Sequence, residues 1–184
     1  MNGRAGVFLD RDGTIIEDTG FVRDPDAVRL VPGAAEAIRQ LNQAGHPVII
    51  VTNQSGIARG LLTEADYDAV AARLGTLLTA AGARVDATYF CPHYPAISGP
   101  CDCRKPGPQH YLAAAERFAL NLSQSVWIGD RLTDLVAAQS FGGRGILVET
   151  GEGADSAHEA AARGFVVVGD LAAAVDLILR PPAA

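Results

Sequence analysis

Six short apolar runs with the residue bias of β-strands alternate with alanine-rich segments, and this alternation constrains the fold most. The runs lie at 5–9, 47–51, 85–90, 125–129, 144–149 and 164–168. Most of the segments between them carry apolar residues at helical spacing. Regular alternation of strand and helix predicts a doubly wound α/β fold, with a parallel sheet, right-handed crossovers and helices on both faces. The 184 residues show no internal repeat and no linker, so we expect one domain over residues 1–184.

Turn and capping residues place five helices along the chain. The first lies between Pro32 and Gly45, and Thr63 with Asp66 forms a weak capping box that opens the second, which ends near Gly82. The remaining helices are expected at 108–118, 132–141 and 171–179, and a frayed tail at 181–184.

Charge and composition exclude several partners. The net charge of −6 provides no electrostatic surface for nucleic acid or an anionic membrane. No stretch approaches the roughly 20 apolar residues of a membrane helix. A secretory signal is not expected, because the basic and then apolar segments of such a signal are not seen. We therefore expect a protein that binds neither nucleic acid nor membrane. The few cysteines favour a reducing cytoplasm over a disulfide framework, and we also expect a monomer.

Polar residues follow the first four apolar runs where those runs end. They are Asp10–Gly13, Thr52–Gly56, Cys91–His93 and Gly129–Arg131. In open parallel α/β sheets, ligands bind at the carboxyl ends of the strands. Because all four segments carry residues suited to phosphate or metal chemistry, we predict an active site at this edge of the sheet.

Two carboxylates, Asp10 and Asp12, come directly after the first run. Side chains alternate in extended backbone, so these two should project the same way and Arg11 elsewhere. Their repulsion favours a cation between them or a proton on one of them. Magnesium prefers carboxylate oxygens, and a carboxylate can also attack phosphorus. Asp130 supplies a third carboxylate for magnesium, and Asp134, one helical turn later, is expected to orient the site.

Cationic and hydroxyl groups complete a phosphate site. Thr52 and the amides after it could donate to phosphoryl oxygens, although such residues also favour polar turns. Lys105 would act as a point charge for phosphate, and Arg104 could clamp a second anionic or polar group of a substrate. Arg131 either reaches the substrate or pairs with a surface acid.

Four residues of metal-ligand type lie within thirteen positions, at Cys91, His93, Cys101 and Cys103, and they include every cysteine of the chain. A set of three cysteines and one histidine suits a structural zinc ion, although the one-residue spacers are tighter than in zinc fingers. Residues 94–100 have no helix or strand character, so a metal would replace the core that this loop lacks. We predict a zinc loop over 91–103; three unligated thiols are the alternative.

These motifs resemble the haloacid dehalogenase superfamily of aspartate-nucleophile phosphatases. Its four signatures stand in order as Asp10-x-Asp12-Gly-Thr, Thr52, Lys105 and Gly129-Asp130. Within the superfamily, the segments FLDRDGTI, VTNQSGIARG, CPH and CDCRKP are similar to the D-glycero-D-manno-heptose 1,7-bisphosphate 7-phosphatases. Histidinol-phosphate phosphatases share the first motif and the metal loop but have Asn-Gln-Asp-Gly where this chain has Asn-Gln-Ser-Gly at 53–56.

The resemblance implies a Rossmann-like phosphatase core without a cap domain, acting on a heptose bisphosphate in the synthesis of activated heptose for lipopolysaccharide or related glycans. Asp10 would attack phosphorus, and Asp12 would protonate the leaving oxygen and then activate water. Thr52 and Lys105 would stabilise the transferring oxygens. Magnesium would be held by Asp10, the backbone carbonyl of Asp12 and Asp130, and the zinc would be structural. Substrate contacts are implied at Asp18, Thr19, Gly20, Phe21, Asn53, Gln54, Ser55, Arg104 and Arg131.

Two other classes share part of this pattern. A phospho-accepting signalling domain also uses strand-end aspartates, a hydroxyl residue and a lysine, but an acid/base at Asp12 would speed loss of the phosphoryl group. A zinc-stabilised binding module without turnover is the second.

Overall fold

One parallel sheet of six strands forms the centre of the molecule, in the order β3-β2-β1-β4-β5-β6. The computed structural model describes residues 3–180, so the predicted tail at 181–184 lies outside the described residues. The strands are β1 (Val7–Leu9), β2 (Val48–Asn53), β3 (Ala87–Cys91), β4 (Val126–Gly129), β5 (Arg144–Val148) and β6 (Val166–Val168). After β3 the chain crosses to the other side of β1, so the winding of the chain reverses between β1 and β4.

Side chains of the central strands alternate between two apolar cores. In β1, Val7 and Leu9 contribute to one core, and Phe8 contributes to the other, where it stacks on Trp127 of β4. A sheet that is covered on both faces needs apolar side chains on both, and this is why the strands read as continuous apolar runs. The predicted doubly wound α/β fold is confirmed.

Residues 3–180 contain seven helices, and all of them except the short turn α3 pack on the sheet. They are α1 (Ala34–Gln43), α2 (Glu64–Ala80), α3 (Pro95–Ser98), α4 (Gln109–Phe118), α5 (Leu132–Phe141), α6 (Gly153–Ala162) and α7 (Leu171–Leu179). Helices α1, α2 and α7 pack on the face of Val7, and α4 and α5 on the face of Phe8. Thr63 and Asp66 form the predicted capping box at the start of α2.

Two helices depart from the sequence prediction. The pattern did not predict α6, because its two buried residues are the small Gly153 and Ala160, and alanine gives little contrast along a helical period. The segment 94–100 was expected to lack helix, but it contains the single turn α3. Ser98 donates from Oγ to the Tyr94 carbonyl and accepts from the Tyr94 amide, which closes that turn locally.

Two long connections at the carboxyl edge of the sheet contain little secondary structure in the described part of the chain. Between Asp10 and α1 they contain only one 3₁₀ turn, Pro25–Ala27, and between β3 and α4 only the turn α3. No cap domain is inserted within residues 3–180, as predicted. None of the helices in this range has the length and apolar character needed to cross a bilayer.

Candidate active site

A cavity of about 780 Å³ opens at the carboxyl edge of the sheet. It lies where the strand order reverses, which is the usual ligand position in such folds. Asp10 follows β1 and Asp130 follows β4, and the Asp10 amide donates to the Ile128 carbonyl at 2.9 Å. The cavity is lined by Asp10, Asp12, Asp18, Gly20, Phe21, Thr52, Asn53, Gln54, Ser55, Arg59, Tyr94, Arg104, Lys105, Arg131, Leu132, Thr133, Asp134, Gly151, Glu152 and Ser156.

Three buried carboxylates and one buried ammonium meet at the base of the cavity, which Asp10, Asp134 and Lys105 line. Oxygens of Asp10, Asp130 and Asp134 lie within 4.8 Å of one another. Lys105 donates from Nζ to Asp10 Oδ1 at 2.7 Å and contacts Asp134 Oδ1 at the same distance, without the alignment of a hydrogen bond. Burial disfavours the Lys105 ammonium, but the two carboxylates outweigh this and raise its pKa. Lys105 is therefore charged, and it neutralises one of the three acids.

Asp130 fits the role of a magnesium ligand. Its Oδ2 accepts from the Glu152 amide at 2.9 Å, whereas its Oδ1 is buried and has no hydrogen-bond partner in residues 3–180. Burial, and next the charge of Asp10, raise the pKa of Asp130 to about 7. An unpartnered carboxylate oxygen near a second carboxylate is costly unless a hard cation binds there. The donor set of Asp10 and Asp130 therefore suits magnesium.

Two glycines allow the backbone to approach Asp130 closely. Gly13 and Gly151 have positive φ values of 78° and 59°. A Cβ on Gly13 would lie 2.3 Å from Asp130 Oδ2, and a Cβ on Gly151 would lie 2.2 Å from the same oxygen. Any side chain at either position would displace the carboxylate. The glycine of the first motif is thus required both by its backbone conformation and by the space around Asp130.

Asp12 is held apart from the carboxylate cluster by Arg11 and Gln54. Arg11 donates from Nε and Nη2 to its carboxylate at 3.0–3.2 Å, and Gln54 donates from Nε2 at 2.8 Å. Burial raises the pKa of Asp12 in spite of Arg11, and the charge of Asp10 adds to the increase. The environment thus favours a proton on Asp12, which a general acid requires.

The sequence predicted that Arg11 points away from Asp12. This prediction was wrong for the guanidinium group, which bonds to the Asp12 carboxylate. The side chain is almost fully buried, and its guanidinium also lies 5.4 Å from the centre of the Tyr67 ring. A buried guanidinium needs a counterion, and the Asp12 carboxylate is the one that it reaches.

The end of β2 supplies Thr52, Asn53 and Gln54. Gln54 Nε2 donates to Thr52 Oγ1 at 2.9 Å, which leaves the threonine O–H available to donate into the cavity. Asn53 was predicted as a substrate contact, but both ends of its amide bind the backbone of Lys105. Its Oδ1 accepts from the Lys105 amide at 2.9 Å, and its Nδ2 donates to the Lys105 carbonyl at 3.3 Å. Asn53 therefore positions Lys105 from the neighbouring strand.

Arg131 pairs with two acids at the rim of the cavity. Its Nη2 lies 2.6 Å from Glu152 and 3.3 Å from Asp18. The sequence left open whether Arg131 reaches the substrate or pairs with a surface acid. The structure shows the pairing with acids, and Arg131 also lines the cavity. Thr19, predicted as a substrate contact, is exposed and does not line the cavity, whereas Asp18, Gly20 and Phe21 do.

Several cavity residues were not predicted from the sequence. Arg59 stands between Phe21 and Tyr94, and its guanidinium lies 5.0 and 5.3 Å from the centres of their rings. Arg59 lies in the motif VTNQSGIARG, a few residues after the end of β2. Its place next to the strand end was therefore visible in the sequence. Gly151 and Glu152 follow β5, and extending the strand-end argument to this fifth strand would have found them.

The Cys/His loop gathers its four predicted ligands at one point. The three sulfurs are 3.0–3.7 Å apart, and His93 Nδ1 lies 3.2 Å from the Cys103 sulfur and 3.7 Å from that of Cys91. No disulfide joins the three cysteines. Burial raises the pKa of the Cys91 thiol, so a thiolate there needs a compensating cation. This closed set of soft ligands fits zinc in a structural role.

Comparison with known proteins agrees with this geometry. A family model for haloacid dehalogenase-like hydrolases matches residues 7–85, and a related HAD-hydrolase-like model matches residues 102–174. The chain is 38% identical over 162 residues to the D-glycero-β-D-manno-heptose-1,7-bisphosphate 7-phosphatase of Salmonella typhi, covering 85% of this chain and 86% of that protein. The chain belongs to the haloacid dehalogenase-like hydrolases.

Other relatives of this haloacid dehalogenase-like hydrolase carry the same description. The heptose bisphosphate phosphatase of Escherichia coli K12 is 39% identical over 79% of the chain and 80% of its own length. The crystal structure of the D,D-heptose 1,7-bisphosphate phosphatase from B. bronchiseptica, complexed with magnesium and phosphate, superimposes with a TM-score of 0.87. It is 38% identical and covers 95% of this chain and 98% of its own. These relatives favour the heptose phosphatases over the histidinol-phosphate phosphatases and the signalling domains.

Proposed function

We propose that this hydrolase removes the C7 phosphate from D-glycero-β-D-manno-heptose 1,7-bisphosphate. The main evidence for phosphatase chemistry is a buried cluster of charged side chains at the point where the strand order reverses. The cluster contains Asp10, Lys105, Asp130 and Asp134. The choice of substrate is supported by relatives of that name that match most of the chain at 38–39% identity. The product would serve the synthesis of activated heptose for surface glycans.

The first chemical step uses the two acids of the first motif. An oxygen of Asp10 forms a bond to phosphorus, and the bond between phosphorus and the sugar oxygen breaks. Asp12 gives its proton to that leaving oxygen, which its raised pKa permits. Lys105 holds Asp10 in place and shares its charge with the phosphoryl oxygens, and the Thr52 hydroxyl donates to one of them.

The second step releases phosphate. Asp12, now ionised, takes a proton from water as the water oxygen bonds to phosphorus, and the bond from phosphorus to Asp10 breaks. Because Arg11 and Gln54 stabilise the ionised carboxylate of Asp12, both of its protonation states are accessible within one cycle. A magnesium ion held by Asp10, Asp130 and the backbone carbonyl of Asp12 would offset the negative charge of the nucleophile and the phosphoryl group.

The remaining predictions complete the proposal. The enzyme would act as one domain over residues 1–184, as a monomer in the cytoplasm, with zinc holding the 91–103 loop beside the cavity. Asp18, Gly20, Phe21, Ser55 and Arg104 line the cavity and would contact the sugar and its second phosphate.

Phosphate release tests the proposal. Purified protein with Mg²⁺ is assayed on both anomers of heptose 1,7-bisphosphate, on heptose 7-phosphate and on histidinol phosphate. We expect the β anomer of the bisphosphate to give the highest kcat/KM. Preferential turnover of histidinol phosphate would overturn the substrate assignment.

The variant Asp10→Asn tests the nucleophile, because an amide of the same shape cannot form the aspartyl-phosphate. We expect kcat to fall by a factor of about 10³ or more. Asp176→Asn, which changes an exposed acid on α7, is the matched control and should retain full activity. Undiminished phosphate release by Asp10→Asn would refute this role.

A further inference from the structure

Arg59 is a cation of the cavity that the proposed mechanism does not use. Its guanidinium stacks on Phe21, from the loop after β1, and on Tyr94, from the Cys/His loop. The side chain itself comes from the loop after β2, so three separate loops meet at this one charged group. Contact with two rings limits the orientations of the guanidinium before any ligand arrives.

Two other cations of the cavity already have carboxylate partners. Lys105 pairs with Asp10 and Asp134, and Arg131 pairs with Asp18 and Glu152. Arg104 donates to the His93 carbonyl at 3.4 Å.

Like Arg104, Arg59 forms no ion pair with any carboxylate in residues 3–180. It differs from Arg104 because its guanidinium lies against two aromatic rings. Arg59 is exposed to solvent at the cavity. A guanidinium that lies against two rings and has no counterion, in a protein whose net charge is −6, is a local binding point for an anion.

We propose that Arg59 binds the phosphate of the substrate that is not hydrolysed, and that it thereby determines the preference for a sugar bisphosphate over the matching monophosphate. This inference rests on the proposed function. In the proposed mechanism, Asp10, Thr52 and Lys105 contact the reacting phosphate. The second phosphate therefore needs a cation elsewhere in the same cavity. The fork of Arg59 can donate two hydrogen bonds to phosphate oxygens while its face stays on the rings.

The test compares two substrates in wild type and two variants. kcat/KM is measured for heptose 1,7-bisphosphate and heptose 7-phosphate with wild type, Arg59→Gln and Arg59→Lys. In Arg59→Gln we expect kcat/KM for the bisphosphate to fall about tenfold, mainly through KM, because one charge-assisted contact in a solvent-accessible cavity is lost. kcat/KM for the monophosphate should change less than twofold. Arg59→Lys keeps the charge without the fork, so it should lose less than Arg59→Gln.

Arg117→Gln is the matched control. Arg117 also stacks on an aromatic ring, 5.0 Å from the centre of Phe118, but it lies at the far end of α4 and does not line the cavity. This variant should leave kcat/KM for both substrates unchanged. A specific loss in Arg59→Gln then reflects the position of the guanidinium in the cavity and not the removal of a stacked arginine from the surface.

Two results would overturn the role of Arg59. One is an equal loss on both substrates, which would mean that Arg59 only holds the loops in shape. The other is no loss on either. If thermal unfolding shows that Arg59→Gln is misfolded, the bisphosphate-to-monophosphate ratio of Arg59→Lys decides between these outcomes.

Failure of the proposed function has a different signature, namely that wild type does not hydrolyse the heptose substrates. The same ratio is then measured on whichever sugar bisphosphate and monophosphate pair the wild type hydrolyses. If wild type shows no preference for a bisphosphate in any such pair, the inference about Arg59 is overturned as well.

Discussion

Asp130 shows how strongly a single side chain of this site depends on its neighbours. One of its oxygens is fixed by the Glu152 amide, and the backbones of Gly13 and Gly151 pack against that same oxygen. The other oxygen is buried without a partner in the described residues. The carboxylate therefore has little freedom to move, and its free oxygen is presented to a cation in a fixed place.

Replacing Gly151 with alanine is predicted to weaken magnesium binding. The new Cβ would lie 2.2 Å from Asp130 Oδ2 and 2.7 Å from Gly13 Cα, so the carboxylate has to shift. Because displacing a group that orients a metal ligand costs affinity, we expect the Mg²⁺ concentration for half-maximal activity to rise about tenfold or more. The measurement is a titration of activity against Mg²⁺ in wild type and Gly151→Ala.

Gly164→Ala separates this effect from backbone strain. Gly164 has a positive φ of 83°, as strained for alanine as that of Gly151, but a Cβ there would meet open space. Gly164→Ala should therefore lose about 1 kcal/mol of unfolding free energy in urea from backbone strain, and Gly151→Ala should lose at least as much because its Cβ also clashes. Only Gly151→Ala should change the magnesium requirement, and equal Mg²⁺ titrations for the two variants would contradict this argument.

At the scale of elements, strand β2 positions a residue of the loop that precedes α4. Asn53, the last residue of β2, binds both the amide and the carbonyl of Lys105. Lys105 then reaches Asp10 and Asp134 at the base of the cavity. The position of its ammonium group is thus determined by a neighbouring strand as well as by its own loop.

Removing this link is predicted to lower catalysis. In Asn53→Ala, the Lys105 backbone loses both hydrogen bonds, and displacement of the ammonium by a fraction of an ångström should lower kcat about tenfold. kcat and KM for the bisphosphate are measured together with unfolding in urea.

Asn42→Ala is a close control, because Asn42 bonds the amide and carbonyl of Arg84 in the same way, at 2.8 and 3.1 Å, away from the cavity. Both variants should be destabilised by about 1–2 kcal/mol. A similar loss of kcat in the two would show that the effect is one of stability alone.

The elements and the site differ in how far a sequence predicts them. The six strands and five of the helices follow from apolar periodicity and from caps such as Thr63, because these signals are local. Helix α6 was missed because its buried face consists of glycine and alanine. The proposed metal ligands Asp10, Asp130 and Cys91 follow from the rule that strand ends converge. The same rule does not predict which residues Arg59, Asn53 and Arg131 contact. Each of these side chains contacts a residue that is remote in the chain and lies in a different loop.

For the whole molecule, the charge at the base of the cavity opposes folding. Three buried carboxylates face one ammonium, and they are packed against the central strands. The pKa of Asp130 is about 7 in the folded protein and lies near its ordinary value of 3.8 in the unfolded chain. A raised carboxyl pKa gives a contribution to stability that is fully present below pH 3.8, declines as the unfolded chain ionises above that pH, and is lost once the pH has risen through about 7. Above that pH, ionised Asp130 destabilises the metal-free protein.

Magnesium is therefore predicted to stabilise the whole fold at pH 8. A ligand that binds only the folded state at 100 times its Kd adds about 2.7 kcal/mol, and for a chain of this size that corresponds to a rise in Tm of roughly 5–10 °C. In Asp130→Asn the rise should vanish, and the metal-free variant should melt no lower than metal-free wild type because a buried charge is gone. Asp176→Asn on the surface should keep the full rise. Calorimetry of the three proteins with and without Mg²⁺ checks this, and a rise of the same size in Asp130→Asn would place the stabilising ion elsewhere.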